Sequence, residues 1–456
     1  MLTVFKGSKK VFFLVCVLTL LARWPGHDSE DIKNLRENLR SDQAVDFWGG
    51  FSSAFYGAIP NFYPGWETNL LLVHWFLASV GLYLLFYIQD KFLLKFDLLG
   101  ALLTSLIMGL STLITRDGTM LSCLVVALGI LTTISRVKHL GYVPSGLLAF
   151  ISLALFLVAA SFRPWVSASI FFIFFFVITQ LFELRLKKNT LAVLLIGIMF
   201  FSFVSIGLEL ASKRILSLKK SYPEQQVMLM DLSAFTCWSS NPIVVTKASS
   251  ILGAFYAEEK IPDNFCNTFK PSNWVHLMKD DPISKSEKMF MLIQPENEET
   301  YKKVRDGWLQ MVLHHPVDYV QSKAMFASQT MLGGDTRRIK FFQLVTHREN
   351  SQTFWTELAP SLVLLPLDLA VSSHLFSPAV VFFIILLLVI CLQRMNLLSS
   401  SFESGLIYLV GFQGFWLMGT VLAYIGDTAR FTYASGSISL LILRLLYLSH
   451  QKKAVT

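Results

Sequence analysis

Long apolar runs recur along this chain and restrict what it can fold into. A helix of about 20 apolar residues crosses the hydrocarbon core of a bilayer. Runs of roughly this length occupy residues 69–89, 96–115, 120–135, 142–161, 166–182, 190–211, 377–393, 405–424 and 431–448. A soluble fold does not cover so much continuous apolar sequence. The chain is therefore predicted to be an all-α, polytopic membrane protein.

The composition favours the same class of protein. Hydrophobic residues make up 54% of the chain and charged residues 15%, whereas about 25% of a soluble domain is charged. The net charge is +8, but the basic residues form short clusters at the ends of the apolar runs. This distribution is typical of orientation in a membrane rather than of a phosphate-binding patch. We expect membrane lipids, and no nucleic acid, as partners.

The first apolar run, residues 11–24, is short and follows Lys6, Lys9 and Lys10. It predicts either an uncleaved first helix or a secretory signal, and we favour the helix because no small-x-small cleavage site follows. In both cases the basic start stays inside. Counting this run brings the number of predicted spans to about ten.

Basic residues then set the orientation of the later spans. Arg116 and Arg163 are the basic residues of two short loops predicted outside. The loops predicted inside carry more of them: Lys91 and Lys95, then Arg136 and Lys138, then Arg185, Lys187 and Lys188. This asymmetry follows the positive-inside rule. The span at residues 190–211 is therefore predicted to exit outward.

A polar block at residues 211–355 interrupts the spans and is predicted to be an inserted extracytoplasmic domain, α or α+β. It divides an N-terminal membrane region, residues 1–210 with a first outer loop at 25–68, from a C-terminal membrane region, residues 356–456. Its opening run, residues 226–234, looks strand-like. Further along, side chains at helical spacing predict a packing face: Tyr301, Val304, Trp308, Met311 and Val312.

The piece at residues 358–371 leaves the C-terminal topology open. It is short and contains Pro360, Pro366 and Asp368. As a span, it would put Lys452 and Lys453 outside. We favour an interfacial or re-entrant segment, which keeps the C-terminal lysines inside and is consistent with the positive-inside rule.

Cysteines and other potential metal ligands indicate few reactive or metal-binding sites outside the membrane. Cys237 and Cys266 are the cysteines of the outer domain, and they predict either a disulfide or two buried thiols. No Asn-x-Ser/Thr acceptor site occurs, so a bacterial inner membrane with the domain facing the periplasm or cell exterior fits best. No metal-ligand spacing is present, and we expect no cofactor, although a divalent metal is not excluded.

Acidic residues gather in the first outer loop, where Asp28, Asp31 and Asp42 lie close to a membrane exit. One interpretation is a solvated amphipathic helix, because acids favour helix starts. The other is a general base held where the reactive group of a lipid-borne substrate meets water. Arg116, Arg163 and Arg430 stand singly at outer span ends. They predict binding of a lipid phosphate, with ordinary interfacial snorkelling as the alternative.

Short motifs connect these residues to a family. The pattern Trp24-Pro25-Gly26, Ser29-x-Asp31 and Tyr63-Pro64-Gly65 resembles the first outer loop of polytopic bacterial glycosyltransferases of the GT-C fold. Residues 226–234 and 306–319 are similar to segments of one subgroup. Residues 426–433 resemble an Asp-x-Arg-Tyr-x-x-Pro element. This chain departs from that element by an extra residue before Arg430 and by Ala434 in place of proline.

The resemblance implies a transferase that takes a sugar from a polyprenyl-phosphate carrier and passes it to an extracytoplasmic glycan or lipid acceptor in the cell envelope. By position in the motif, Asp31 is the base, with Asp28 and Asp42 as reserves. A polymerase or ligase of the O-antigen type is an alternative. A non-catalytic transporter of lipid-linked glycans is another, but the chain lacks visible internal repeats and mid-membrane acids in several spans.

Overall fold

The computed structural model describes residues 8–24, 30–41, 44–46, 49–59, 65–87, 98–112, 115–136, 142–163, 167–181, 190–220, 224–253, 261, 263, 265–269, 298–332, 378–394, 409–414, 416 and 438–442. This part of the chain is nearly all helical and contains no strand. Its one recorded β-bridge is isolated and joins Val45 to Lys219.

The helices follow one another along the chain, and we number them in that order. Helices α1 to α9 are Ser8–Arg23, Glu30–Leu39, Gly50–Gly57, Trp66–Tyr87, Leu98–Ser111, Arg116–Arg136, Tyr142–Phe162, Ser167–Leu181 and Thr190–Ile215. Helices α10 to α15 are Gln225–Trp238, Pro242–Gly253, Phe265–Thr268, Glu298–His314, Pro316–Leu332 and Pro378–Arg394.

Four of the described helices are long and apolar enough to cross a membrane. They lie in α4, α6, α7 and α9, at Trp66–Phe86, Arg116–Ile134, Tyr142–Phe162 and Leu195–Ile215. These helices indicate a membrane protein. The predicted spans at 405–424 and 431–448 lie mostly outside the described residues, and the segment at 358–371 lies wholly outside them.

Helix α6 is the centre of the membrane bundle. Within its span 94% of the residues are buried, against 22% in α7 and 17% in α9. Small residues permit this close packing: a Cβ on Gly81 of α4 would lie 2.6 Å from the Val125 carbonyl of α6. Across the α6–α7 contact, the Ser152 hydroxyl donates to the Ala127 carbonyl at 2.9 Å. Small residues and interhelical hydrogen bonds of this kind hold membrane helices together.

Large apolar side chains cover the outer faces of α7 and α9. Phe150, Met199 and Phe203 are exposed, whereas Phe156 and Phe201 on the same helices are buried. A helix with apolar residues on both its packed and its open face is suited to lipid rather than to water. The two helices thus form the rim of the bundle.

A second hydrophobic core lies in residues 225–332. Helices α10 to α14 contribute to it, with Leu232, Phe235, Val304 and Phe326 among the buried side chains. The strand predicted at residues 226–234 is wrong, because this run belongs to helix α10. An apolar run buried on all sides has no period that separates strand from helix.

Helices α2 and α3 lie on one end of the membrane bundle. Ile32 of α2 and Tyr56 of α3 belong to the bundle's core, and α3 contacts both α7 and α9. Here α4 and α6 begin while α7 and α9 end. We call this the capped end.

Candidate functional site

Arg36 fastens α2 to its neighbours at the capped end. Its side chain is buried, and its Nη1 donates to the carbonyl oxygens of Tyr56 at 2.5 Å and Ile59 at 3.2 Å. The guanidinium carbon lies 4.6 Å from the ring centroid of Trp66, the first residue of α4. Charge-assisted hydrogen bonds and cation–π contact both favour this placement. One side chain thus joins α2, the end of α3 and the start of α4.

Glu209 binds the start of α3. Its Oε1 accepts the Gly50 amide at 2.6 Å and its Oε2 accepts the Phe51 amide at 2.9 Å. A carboxylate satisfies two helix-start amides that lack intrahelical partners and interacts favourably with the helix dipole. Gly49, which precedes the helix, has φ of 87°, a conformation that favours glycine.

The approach of α3 to α9 is close. A Cβ on Gly50 would lie 2.6 Å from the Glu209 carbonyl oxygen and 2.7 Å from the Lys213 amide nitrogen. Both are backbone atoms of a continuous helix, so no side chain can move aside to make room. Glycine at position 50 is therefore required for the contact that Glu209 makes.

Lys213 extends the connection to the chain before α3. Its Nζ lies 3.0 Å from Asp46 Oδ2 and 3.4 Å from Glu209 Oε1. The Asp46 amide donates to the Lys219 carbonyl, and the Lys219 amide donates to the Ala44 carbonyl, both at 2.9 Å. The segment that precedes α3 is thereby attached along the last turns of α9 and the residues beyond it.

Asp117 and Arg163 pair across the ends of α6 and α7. Nε of Arg163 donates to Asp117 Oδ1 at 3.0 Å and Nη2 donates to Oδ2 at 3.3 Å. This two-point geometry fixes the guanidinium plane and the carboxylate together. Arg163, predicted to bind a lipid phosphate, thus has Asp117 as a partner.

A hydroxyl network lies beneath α3. The Tyr56 hydroxyl and the His74 Nε2 each lie 2.7 Å from Thr119 Oγ1, and all three side chains are buried. Burial raises the pKa of Tyr56, with the Thr119 hydrogen bond acting against it. The phenol therefore stays protonated. Rings from α3 and α7 contact the phenol: the ring centroids of Phe55 and Phe162 lie 5.2 Å and 6.0 Å from that of Tyr56.

The structure locates some of the residues predicted to form the site. Asp31 lies in the first turn of α2, and Arg116 is the first residue of α6 and half-buried. Asp28, Asp42 and Arg430 lie outside the described residues. In the second core, Cys237 and Cys266 are joined by a disulfide.

The sequence shows two residues of the capped end only as ionisable groups within predicted spans, and their contacts could not be predicted from it. Glu209 lies near the end of the apolar run 190–211, and His74 lies near the start of the run 69–89. Their partners Gly50 and Thr119 are far away in the chain, so neither role follows from spacing. The sequence signal for Glu209 is its position four residues before Lys213, because this spacing allows an ion pair on one helix face.

A second polar cluster lies inside residues 225–332. Lys323 Nζ is 2.7 Å from Asp231 Oδ1, and the Trp308 indole donates to Asp231 Oδ2 at 3.0 Å. Burial raises the pKa of Asp231, while Lys323 and Trp308 act against this shift. Because Asp231 is 1% exposed, this cluster fixes packing.

The described part of the chain contains no group of three or more His, Cys, Asp or Glu side chains that could hold a metal ion. Comparisons with protein-family models, with curated proteins and with solved structures find no match. The geometry of the capped end is therefore the basis for a functional assignment.

Proposed function

We propose that this chain is an integral membrane glycosyltransferase. It would move a sugar from a polyprenyl-phosphate donor to a glycan or lipid acceptor on the outer face of a bacterial inner membrane. In this proposal about ten helices span the membrane, and residues 211–355 form the extracytoplasmic domain. The observation that carries the proposal is the attachment of α2 and α3 to the ends of the membrane helices, with Asp31 in the first turn of α2.

Three other acids at the capped end already have cationic partners. Asp46 and Glu209 both contact Lys213, and Asp117 contacts Arg163. A carboxylate whose oxygens already accept bonds from fixed donors is poorly placed to take a proton from a substrate. Their proposed role is to hold together the helix ends against which α2 packs.

Asp31 would act as the general base in an in-line displacement. Its carboxylate takes the proton of the acceptor hydroxyl while that oxygen attacks the anomeric carbon of the donor sugar. The bond between this carbon and the carrier phosphate oxygen breaks, and the phosphate leaves with the electron pair. A base in a first helical turn at the membrane surface can reach a hydroxyl presented from water.

Cations at the same level would stabilise the departing phosphate. Arg116 begins α6, where the helix dipole also favours negative charge. Arg163 pairs with Asp117, the residue that follows Arg116 in the chain. Arg430 completes the proposed set on the strength of its motif alone.

The direct test substitutes Asp31→Asn, which keeps the size of the side chain and removes the basic carboxylate. Loss of a general base lowers the rate by about 10² to 10⁴, or about 3 to 5 kcal/mol in the barrier. Lipid-linked and cell-surface glycans of a deletion strain carrying each variant give the readout. Glu37→Gln is the matched control, because Glu37 is an exposed acid of the same helix.

Full glycan transfer by a normally expressed Asp31→Asn variant would reject this residue as the base, and Asp28→Asn and Asp42→Asn would be measured next. Activity in all three variants would transfer the assignment to the polymerase, ligase or transporter alternatives. The compartment is tested separately by reporter fusions after Lys220 and after Gln393. These fusions should report opposite sides of the membrane.

A further inference from the structure

Helices α13 and α14 carry an exposed aliphatic stripe. The helices are separated only by His315, whose amide still donates to the Met311 carbonyl at 2.9 Å. Four aliphatic side chains spaced four, four and three residues apart lie along them with high exposure: Leu309 at 44%, Leu313 at 67%, Val317 at 77% and Val320 at 65%.

The opposite face of the same helices packs in the second core. Tyr301, Val304 and Met311 of α13 and Phe326 of α14 are buried in the second core. At about 100° per residue, these positions lie across the helix axis from the stripe. The stripe is therefore a second apolar face, separate from the one that holds residues 225–332 together.

Two contacts of this helix pair point to the membrane surface. At the start of α13, the Tyr301 hydroxyl donates to Glu224 at 2.9 Å, and Lys220 Nζ lies 5.8 Å from the Tyr301 ring centroid. Lys220 follows the membrane helix α9 by only a few residues. Further along, α14 contacts α15, which is strongly apolar. The pair thus contacts the segment just beyond α9 through Tyr301 and the apolar helix α15 through α14.

We propose that the stripe of Leu309, Leu313, Val317 and Val320 rests in the headgroup region of the bilayer on the capped-end side. Helices α13 and α14 would then form a membrane-surface element. A helix with polar residues on its flanks and aliphatic residues on one exposed face binds at such an interface. The contacts with Lys220, five residues beyond α9, and with the apolar helix α15 favour the lipid surface as the occupant. This inference does not depend on the enzymatic proposal.

The test uses the full-length protein in lipid nanodiscs with a fluorescent label on single cysteines at Leu313→Cys or Val317→Cys. Cys16, Cys123 and Cys391 are replaced by serine, and the disulfide is kept. The label is quenched either by a nitroxide attached to the lipid or by soluble iodide. Gln310→Cys and Gln321→Cys are matched controls on the same helices, since both positions are exposed and polar.

We expect the lipid-linked nitroxide to quench the stripe positions strongly and iodide to quench them weakly, with the opposite ranking at the two glutamine positions. Strong iodide quenching at both stripe positions would show a water-facing stripe and overturn the proposal. Protection from both quenchers would show cover by protein, from this chain or another, and would also overturn it. If Leu313→Cys does not express, Leu309→Cys and Val320→Cys test the same face.

Discussion

The capped end and the unit at residues 225–332 each contain a lysine–carboxylate cluster, but in different surroundings. At the capped end Lys213 is 27% exposed and contacts Asp46 and Glu209. In the unit at 225–332, Lys323 is 8% exposed and contacts Asp231, which is 1% exposed. Water screens the first cluster, whereas removal of one partner from the second leaves a charge buried. The first joins segments through a lysine that water partly reaches, and the second fixes a core.

The two regions also bring their helices together in different ways. At the capped end, α3 approaches α9 through Gly50, which leaves no room for a Cβ. In the unit at 225–332, aromatic side chains fill the space, as where the Trp238 and Phe326 rings lie 5.2 Å apart. A covalent bond between Cys237 and Cys266 is added there. Backbone contact makes the capped end sensitive to added volume, and side-chain packing makes the other unit sensitive to lost partners.

Removal of Lys323 should have the largest effect. Lys323→Met leaves Asp231 without its cation, and breaking a buried pair costs about 3 to 5 kcal/mol. The loss of stability is measured by thermal unfolding, with hydrogen exchange of the α10 amides as the local probe. The matched control is Lys302→Met, because the Lys302–Glu298 pair is more than half exposed on both sides and such pairs contribute under about 1 kcal/mol. Equal losses in both variants would remove the distinction between the two kinds of pair.

The same variant should change how stability depends on pH. Burial already raises the pKa of Asp231, and Lys323 acts against that shift, so Lys323→Met should raise this pKa further. The folded state then binds the proton more tightly than the unfolded state. Proton binding by Asp231 therefore stabilises the folded state at acid pH, and this stabilisation is lost as the pH rises through the folded-state pKa of Asp231. We expect Lys323→Met to lose less stability at acid pH than at neutral pH, measured by melting at a series of pH values.

Opening the disulfide should have the next largest effect. Cys237 and Cys266 are 29 residues apart, and loop-closure entropy for this length corresponds to roughly 3 to 4 kcal/mol. Cys237→Ser with Cys266→Ser should lower the free energy of unfolding of the unit at 225–332 by that amount, which is measured as a lower melting temperature. The mass of unreduced protein establishes the bond beforehand. Free thiols at both positions in protein purified without reductant would contradict the bonded arrangement.

Added volume should disturb the capped end less strongly than this. Gly50→Ala forces α3 away from the α9 backbone, and overpacking costs about 1 to 3 kcal/mol. Gly207→Ala is the control, because it adds the same methyl to α9 at a position where nothing lies within 4 Å. Thermal melts of the two variants should differ. A Gly50→Ala protein as stable as Gly207→Ala would show that α3 is not in backbone contact with α9.

Removal of the charge on Glu209 should have the smallest effect. Glu209→Gln keeps one amide acceptor at the start of α3 and gives up the charge, a change of about 1 kcal/mol by analogy with other helix caps. Hydrogen exchange of the Gly50 and Phe51 amides reports this locally. We expect faster exchange at these two amides and little change in α10. Unchanged exchange at both would mean that the carboxylate does not cap α3.

Much of the helical layout could be predicted from apolar periodicity and length. The predicted span at 142–161 matches helix Tyr142–Phe162, and that at 190–211 matches most of Thr190–Ile215. The packing face predicted for the helix with Tyr301, Val304 and Met311 is confirmed by their burial. The strand at 226–234 was predicted wrongly, because full burial removes the alternation that distinguishes a strand. The sites at Asp31 and Arg116 stay predictions about chemistry.

Sequence by itself determined the class of protein and the order of its apolar and polar regions, because length and hydrophobicity act locally and do not need a partner. Only the tertiary structure decided which charges meet. Arg163 pairs with Asp117 rather than standing alone at a span end, and Glu209 accepts the amides of Gly50 and Phe51. These contacts join residues far apart in the chain. They depend on how neighbouring helices end at a common level, and no local pattern specifies that.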